Sequence, residues 1–190
     1  MDGIILTRRS EAPPVSDELL VERTSAGDVR AFEELIERYQ APALRVAFRF
    51  VGDVQEAEDL AQEAFLRVYL NACRYNYSAR FGTWFYQILM NLCRDWLKKK
   101  KPVLFGEPPS MPVARSDPSD AIELARRAQT VQRAVQNLPP NQRLALILCH
   151  YEEMSYREAS VVLQLSEKAI ESLLVRARRT LRKRLADLQH

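Results

Sequence analysis

The sequence predicts an all-α protein with two small helical domains, at residues 16–101 and 120–190, joined by a proline-rich linker at residues 102–119. Three observations predict this class. Apolar residues recur at helical spacing in both domains, no stretch alternates as a strand does, and five prolines fall within residues 102–118. The composition, with 47% hydrophobic and 28% charged residues over 190 positions, is typical of a globular protein.

The first domain is predicted to open with three helices. Residues 1–15 are predicted to be disordered. The first helix should be capped by Ser16 or Asp17 and end near Gly27, and Asp28 should cap the second. Because proline suits a first helical turn, the third helix should start at Pro42 and end at Gly52, so the second should end before Pro42.

The next helix is predicted over residues 53–70 and has two different faces. Its apolar stripe consists of Ala57, Leu60, Ala61, Ala64, Phe65 and Val68. Carboxylates and amides lie off that stripe, at Glu56, Asp59, Gln62 and Glu63. The helix should therefore show solvent an acidic, amide-bearing face, which is either a docking surface for a partner or a solvated face.

A loop at residues 75–82 and a helix at residues 83–99 form the most informative stretch. The loop reads YNYSARFG, which mixes aromatic rings with Asn, Ser and Arg, and Thr83 suits the N-cap of the helix. One helix face carries an indole, two amides and two cations, at Trp84, Gln87, Asn91, Arg94 and Lys98. Cations neutralise phosphate, amides bond to base edges and rings stack on unpaired bases, so this face suits a nucleic acid. A solvated helix with an amphipathic tryptophan is the alternative that this helix alone leaves open.

The linker and the second domain follow. If the 17 residues from 102 to 118 were stretched at about 3.3 Å each, they would reach roughly 55 Å. Helices are then predicted at residues 121–137 and 141–151. A capping box at residues 155–158 opens a short helix, and Ser166 caps a longer one, which together predict a helix-turn-helix. Six cations in the nine residues 176–184 make the longer helix a candidate phosphate-binding element, or else a solvated terminal helix.

Composition argues against a membrane protein and against an enzyme. No run of 18 apolar residues and no secretory signal is present, so a cytoplasmic protein is expected. The three cysteines, Cys73, Cys93 and Cys149, form no CxxC pair and are expected to be small buried hydrophobes. A helical di-metal site needs Glu-x-x-His pairs, but the only histidines are His150 and His190, and five glycines form no phosphate-binding loop. We therefore predict no catalytic residues, metal, cofactor or small-molecule substrate.

Four segments in order resemble the sigma factors of bacterial RNA polymerase, specifically the extracytoplasmic-function group of the sigma-70 family. They are GDVRAFEELIERY (27–39), DVQEAEDLAQEAFLRVY (53–69), FGTWFYQILMNLCRDWLKKK (81–100) and the stretch from LPPNQRLALILCHYEEMSYREA onward (138–185). The resemblance implies a sigma-2-like helical bundle followed by a sigma-4-like helix-turn-helix domain. It also implies promoter-specific initiation by core RNA polymerase.

The resemblance further implies roles for residues of the first domain. Asp59, Gln62 and Glu63 fall on the pattern that binds the clamp coiled coil of the polymerase β′ subunit. The loop would capture a flipped base of the −10 element, and the helix after it would border that pocket and hold backbone phosphate. The −10 residues so assigned are Tyr75, Asn76, Tyr77, Ser78, Arg80, Phe81, Trp84, Gln87, Asn91, Arg94 and Lys98.

In the second domain, the resemblance implies that one helix reads a −35 element. The residues assigned to it are Ser166, Lys168, Glu171, Ser172, Arg176 and Arg179. Three positions depart from the family pattern. Gln164 stands where a turn glycine is common, and Glu171 and Leu173 stand where basic residues are common. Glu171 would accept from a cytosine amino group or make no base contact, and Leu173 fits the inward stripe.

The partners implied are core RNA polymerase, promoter DNA and an anti-sigma factor, often membrane-bound, that covers both domains. The residues leave two other functions to consider. A free-standing helix-turn-helix regulator would bind duplex DNA without polymerase, at paired half-sites. An enzyme would need a metal or nucleophile set that the sequence lacks.

Overall fold

The computed structural model describes residues 15–99 and 118–187. Within these ranges the chain is all-α and has no strand, which confirms the predicted fold class. The helices are α1 (Asp17–Ser25), α2 (Val29–Val51), α3 (Val54–Asn71), α4 (Phe81–Lys99), α5 (Pro118–Gln136), α6 (Pro140–Leu146), α7 (Tyr156–Leu163) and α8 (Glu167–Asp187). A 3₁₀ turn (Ala72–Arg74) follows α3, and a π-helical turn (Ile147–Tyr151) follows α6. The predicted disordered segment and linker lie outside the described residues, except that Val15 is described and Pro118 already begins α5.

Several helix starts lie at the polar residues that the sequence predicts. The side chains of Ser16, Asp28 and Asp53 accept hydrogen bonds from backbone N–H groups in the first turns of α1, α2 and α3, at 3.3, 3.2 and 2.9 Å. Ser155 and Glu158 form the predicted capping box of α7. Because these N–H groups have no acceptor inside their own helix, each cap supplies a missing partner. The cap predictions at Ser16, Asp28 and Ser155 are confirmed, whereas Asp53 was predicted only as the first residue of its helix.

The prediction that a helix ends before Pro42 is wrong, because α2 runs through this proline to Val51. A proline inside a helix costs about 3 kcal/mol. However, α2 buries apolar side chains on both sides of it, and Leu35 and Phe50 are each 0% exposed. Burial of one such side chain contributes roughly 1.5–3 kcal/mol. The stripe as a whole therefore outweighs the one lost backbone hydrogen bond.

Helix α4 begins at Phe81, two residues earlier than predicted, so Thr83 is not its N-cap. The backbone N–H of Phe81 donates to Glu18 Oε1 of α1 at 3.1 Å, across 63 positions of sequence. The N–H of Trp84 donates to the carbonyl oxygen of Arg80 at 3.2 Å, which closes the first turn. A carboxylate from another helix thus takes the place of a local cap, and sequence spacing carries no sign of it.

The two predicted domains pack directly against each other. Gln132 Nε2 of α5 donates to the carbonyl oxygen of Phe48 at 3.2 Å, and Arg143 Nη1 of α6 donates to that of Phe50 at 2.5 Å. The Phe50 carbonyl lies in the last turn of α2, where it has no intrahelical donor, so Arg143 supplies one. Burial lowers the pKa of Arg143 to about 10. Buried apolar side chains from both halves form one cluster.

Gly52 allows this close approach of the two halves. It ends α2 with φ +82°, a backbone conformation that favours glycine. A Cβ atom at this position would lie 2.1 Å from Gln136 Nε2 and 2.6 Å from Gln136 Cδ, so the end of the Gln136 side chain would have to move. The backbone conformation is therefore the stronger reason for glycine here.

Helices α7 and α8 form the predicted helix-turn-helix. Gln164 ends α7 in the left-handed conformation, with φ +56°, at the position where a glycine was noted as common. Ser166 Oγ then accepts from the backbone N–H of Ala169 at 3.2 Å, as its N-cap prediction requires. Val162 and Ile170, one on each helix, are 0% exposed. The turn thus keeps its geometry without a glycine.

Candidate nucleic-acid interface and docking face

The acidic face of α3 is only partly as predicted. Glu56 is turned toward α4, because its Oε2 accepts a hydrogen bond from Trp96 Nε1 at 2.5 Å. The carboxylate of Glu63 is 2.8 Å from Arg67 Nε on the next turn. Asp59 and Gln62 are exposed, whereas Glu63 is half-buried. We call these three residues the docking face.

An apolar groove of about 710 Å³ runs beside the docking face, between α2 and α3. Gln62 lines it, so the groove and the docking face are contiguous. At its edge, Leu66 and Tyr69 are 51% and 45% exposed. Large exposed apolar side chains beside a groove are typical of protein-binding surfaces. The other lining residues are Val29, Phe32, Ile36, Gln40, Leu44, Glu58, Ala61 and Phe65.

The loop at residues 75–80 rests on buried aromatic side chains. Tyr75 is 5% exposed, and its hydroxyl donates to the carbonyl oxygen of Ala79, which ties the two ends of the loop together. The ring of Trp84 lies 5.1 Å from that of Tyr75, measured between centroids. Phe81 is completely buried beneath them. Of the predicted −10 residues, Tyr75 and Phe81 therefore support the loop from inside.

The tip of the loop is exposed and carries several chemical groups. Asn76 Oδ1 accepts from the backbone N–H of Ser78 at 3.1 Å, which shapes the turn. Tyr77 is 55% exposed, and its ring stands edge-on to the Tyr75 ring below it. The guanidinium of Arg80 is 3.7 Å from Glu158 Oε1 of α7. The tip therefore presents a ring, an amide, a hydroxyl and a guanidinium together.

The predicted DNA face of α4 is half covered. Lys98 is exposed, and its Nζ is 3.0 Å from Asp95 Oδ1. Arg94 Nη1 donates to Asn91 Oδ1, and Arg94 Nη2 donates to the carbonyl oxygen of Leu163 at the end of α7, both at 3.1 Å. Burial lowers the pKa of Arg94. The other members of this face, Trp84, Gln87 and Asn91, are half-buried like Arg94.

A second contact holds the two halves together on the same side of α4. The hydroxyl of Tyr86 donates to Glu152 Oε2 at 2.8 Å, and burial, followed by this bond, raises the pKa of Tyr86. Arg49 Nη1 is 4.0 Å from Glu152 Oε1, and its guanidinium lies over the Tyr151 ring, 4.3 Å from the centroid. The segment before α7 and the end of α7 therefore both lie against α4.

The predicted recognition helix α8 is open to solvent. Arg176 donates from Nε and Nη2 to the backbone and side-chain oxygens of Ser172, at 3.2 and 3.3 Å. Leu173 packs against the core, in agreement with its place on the inward stripe. All six residues assigned to −35 binding are exposed: Ser166, Lys168, Glu171, Ser172, Arg176 and Arg179.

The cysteines and possible metal ligands were also located. Cys93 is buried and Cys149 partly so, but Cys73 is exposed, which makes the prediction of a buried hydrophobe wrong at that position. Residues 15–99 and 118–187 contain no group of three or more His, Cys, Asp or Glu side chains that could hold a metal ion. In the same ranges, no helix is long and apolar enough to cross a membrane.

Sequence reasoning missed two features of these surfaces. The groove beside the docking face had a usable signal, because Leu66 and Tyr69 are large apolar residues that lie off the buried stripe of α3. No sequence signal indicates the contact of the Glu18 carboxylate with the start of α4, because its partner is a backbone N–H 63 positions away.

Comparison with known proteins connects these surfaces to one family. The model of sigma-70 region 2 matches residues 35–103, which include α3, the loop and α4. The model of sigma-70 region 4 matches residues 128–181, which include the helix-turn-helix. The first match therefore lies in the first half of the chain and the second match in the second half.

Full-length relatives and a solved structure agree with this. The chain is 31% identical to the ECF RNA polymerase sigma factor SigW of Bacillus subtilis over 182 residues, which cover 88% of this chain and 96% of SigW. It is 34% identical to the RNA polymerase sigma-H factor of Pseudomonas aeruginosa over 187 residues, 90% of this chain and 95% of that protein. The structure of CnrH, solved in complex with the cytosolic domain of CnrY, covers 92% of this chain and 99% of its own with a TM-score of 0.70 and 25% identity. The chain therefore belongs to the extracytoplasmic-function group of RNA polymerase sigma factors, within the sigma-70 family.

Proposed function

We propose that this sigma factor binds core polymerase through the docking face, opens the −10 element with the loop and α4, and reads the −35 element with α8. A sigma factor is a transcription initiation factor and not an enzyme. The observation that carries the residue-level proposal is the separation of three exposed surfaces with different chemistry on one chain. The docking face is acidic and lies beside an apolar groove, the tip of the loop is aromatic and polar, and the exposed side of α8 is basic.

The docking face suits a protein partner better than DNA. Asp59 and Glu63 would repel phosphate, whereas they complement a basic helix of a protein. The groove beside them offers Leu66 and Tyr69 for apolar contact, and interface cores combine apolar burial with a polar rim. We assign this surface to the clamp coiled coil of the polymerase β′ subunit.

The loop supports capture of a base that has left the DNA helix. Tyr77 is exposed above the Tyr75 and Trp84 rings, so a base could stack on an aromatic platform whose underside is already packed. Asn76 and Ser78 place an amide and a hydroxyl beside it for hydrogen bonds to the base edge. Nucleotide hydrolysis is not needed, since binding of the unpaired strand supplies the free energy for opening.

Helix α8 supports readout of duplex DNA. Lys168, Ser172, Arg176 and Arg179 follow one another at three- or four-residue spacing, so they form a single stripe along the exposed side of the helix. Arginine can bond a guanine edge or a phosphate, and serine can bond either. Glu171 lies next to the stripe, where it either accepts from a cytosine amino group or makes no base contact.

Binding of both elements requires the two halves to separate. Arg94 donates to the carbonyl oxygen of Leu163, so it cannot bind a phosphate fully while α7 stays against α4. Arg80 is 3.7 Å from Glu158 Oε1, but its side chain is 83% exposed. Residues 102–117 of the predicted linker precede α5. If stretched at about 3.3 Å each, they would span roughly 53 Å, which is long enough to let the halves reach separated stretches of DNA. We infer that the packed arrangement is that of the chain without polymerase.

Control by an anti-sigma factor is part of the proposal. The relative CnrH was solved with the cytosolic domain of CnrY, a second protein chain. On this chain, the groove and docking face offer such a partner the same chemistry that they offer polymerase. We propose that an anti-sigma factor covers them in the cytoplasm and so competes with polymerase.

The deciding experiment is transcription in vitro with core polymerase, followed by sequencing of the 5′ ends of the transcripts. Specific starts should appear only when the protein is added, and unchanged starts would rule the proposal out. A gel shift without polymerase distinguishes the alternative, a free-standing helix-turn-helix regulator. Such a regulator would shift duplex promoter DNA by itself, whereas we expect this chain to do so only weakly.

The docking face gives a quantitative prediction. Replacing Asp59, Gln62 and Glu63 together with alanine should weaken binding to core polymerase by about 30-fold or more, because losing charged interface partners costs at least about 2 kcal/mol. Thermal stability should change little. The measurement is competition with a labelled wild-type chain for limiting core polymerase.

A matched control is the double variant Glu22→Ala and Glu33→Ala. Like the triple variant, it removes two negative charges, but from exposed positions on α1 and α2. It should compete as the wild type does. Equal competition by the triple variant would mean that polymerase binds elsewhere.

A further inference from the structure

The start of α4 is fixed by a residue of α1. Glu18 Oε1 accepts from the backbone N–H of Phe81 at 3.1 Å, and no other side-chain bond to that N–H is seen among the described residues. The first N–H groups of a helix lack intrahelical acceptors and carry a partial positive charge, so a carboxylate is a strong partner for them. Glu18 is half-buried, which places this contact away from bulk solvent.

The neighbouring carboxylate, Asp17, fixes the ring that lies under this helix start. Asp17 Oδ2 accepts from the hydroxyl of Tyr39 at 2.6 Å. The Tyr39 ring meets the Phe81 ring edge-on, at 5.0 Å between centroids. A Cβ atom at Gly82 would lie 3.2 Å from the Tyr39 hydroxyl oxygen, so the helix backbone also approaches closely here. Two adjacent acids of α1 therefore hold the first turn of α4 from two sides.

Both ends of the loop are thereby held. At its entry, the N–H of Tyr75 donates to the carbonyl oxygen of Ala72 at 3.1 Å. At its exit, the chain is held at Phe81 by Glu18. The Tyr75 hydroxyl joins entry to exit through Ala79. Only the tip, with Tyr77, is left exposed.

We propose that Glu18 is a positioning residue for capture of an unpaired −10 base. It acts through Phe81 to keep the loop in its binding shape, and it does not touch DNA. This inference rests on the proposed function of the loop. The loop must bind one flexible strand, so order present before binding reduces the entropy lost on binding.

Charge and geometry separate this role from two simpler ones. If Glu18 only repelled phosphate, removing its charge would tighten DNA binding. If it only stabilised the fold, its loss would affect every activity of the chain alike. A positioning role predicts a loss of affinity confined to single-stranded −10 DNA. The size of this loss should follow the reach of the acceptor oxygen more than its charge.

The test uses the full chain with core polymerase and two labelled probes. One is a single-stranded oligonucleotide with the non-template −10 sequence, and the other is a duplex with the −35 element. Glu18→Ala and Glu18→Asp should bind the single strand about tenfold more weakly, because alanine has no acceptor and aspartate is one methylene too short. Glu18→Gln keeps an acceptor oxygen at the same reach and should retain most of the affinity. All variants should bind the −35 duplex as the wild type does.

Glu22→Ala is the control, since Glu22 is an exposed acid on the same helix. Measurements are made below the unfolding temperature of each variant, and Glu18→Gln tests the inference even if Glu18→Ala is unstable. Wild-type affinity for the single strand in Glu18→Ala and Glu18→Asp would overturn the inference alone. A parallel loss on both probes, or a loss in Glu18→Gln equal to that in Glu18→Ala, would also overturn it. A wild-type holoenzyme that does not bind the single strand would overturn the proposed function as well.

Discussion

Replacing Phe85 with alanine should lower the free energy of unfolding by about 3–5 kcal/mol, the range expected when a large buried aromatic residue leaves a cavity. Phe85 is 0% exposed. Its ring lies 5.1 Å from that of Phe65 in α3, 5.2 Å from Tyr39 in α2 and 6.0 Å from Phe81 at the start of α4. The substitution therefore removes contacts among three helices at once. Urea unfolding followed by circular dichroism measures the loss.

The matched control for this prediction is Leu66→Ala. Leu66 is apolar but 51% exposed on α3, so its truncation should cost well under 1 kcal/mol. Leu66→Ala should weaken polymerase binding, because Leu66 lines the groove. Phe85→Ala should leave that binding unchanged while the chain is folded, because Phe85 has no accessible surface. A loss below about 1 kcal/mol in Phe85→Ala would show that the three helices are not held through this ring.

Local signals in the sequence predicted most of the helices. Ser16, Asp28, Asp53 and Ser166 each act on an N–H group three residues ahead, and such short-range bonds can be recognised from spacing alone. The helix through Pro42 shows where this reasoning stops. The cost of the proline is local and visible, whereas the burial that outweighs it depends on which helices lie alongside α2.

The sequence predicted which chemical groups the candidate site contains, but not which of its side chains are buried. The sequence indicates aromatic and polar residues at 75–81, yet it does not distinguish Tyr75 and Phe81, which support the loop, from Tyr77, which is exposed. That distinction depends on α1 and α2, which lie beneath the loop. The contacts of Arg94 with Leu163 and of Arg80 with Glu158 were also beyond reach, because they join residues 69 and 78 positions apart.

The second large effect is expected at alkaline pH, where buried tyrosines should unfold the protein. Burial raises the pKa of Tyr75 to about 12, and burial followed by hydrogen bonds to Asp17 and Glu152 raises the pKa values of Tyr39 and Tyr86. In the unfolded chain a tyrosine ionises near pH 10. Above that pH the unfolded state loses protons that the folded state keeps, so stability present below pH 10 is lost as the pH rises.

The size of the effect follows from the shifts. Tyr75 alone corresponds to about 3 kcal/mol lost between pH 10 and pH 12, and the other two tyrosines add to it. Arg143 and Arg94 act in the opposite sense, because burial lowers their pKa values, that of Arg143 to about 10, and the folded state releases these protons first. These two arginines do not offset three tyrosines. Since a typical domain has about 5–15 kcal/mol of stability, we expect unfolding by about pH 12.

Absorbance at 295 nm and circular dichroism, followed together during a pH titration, check this prediction. Of the seven tyrosines, three should ionise only as the helical signal is lost. Tyr86→Phe should lower stability at pH 7 by about 1 kcal/mol, because it removes the bond to Glu152, yet it should raise the pH of unfolding, because it removes an ionisable group. Tyr69→Phe, at a ring that is 45% exposed, is the control and should shift neither. Ionisation of all seven tyrosines near pH 10 with the helices intact would contradict the burial of Tyr39, Tyr75 and Tyr86 on which the loop and the contact between the two halves depend.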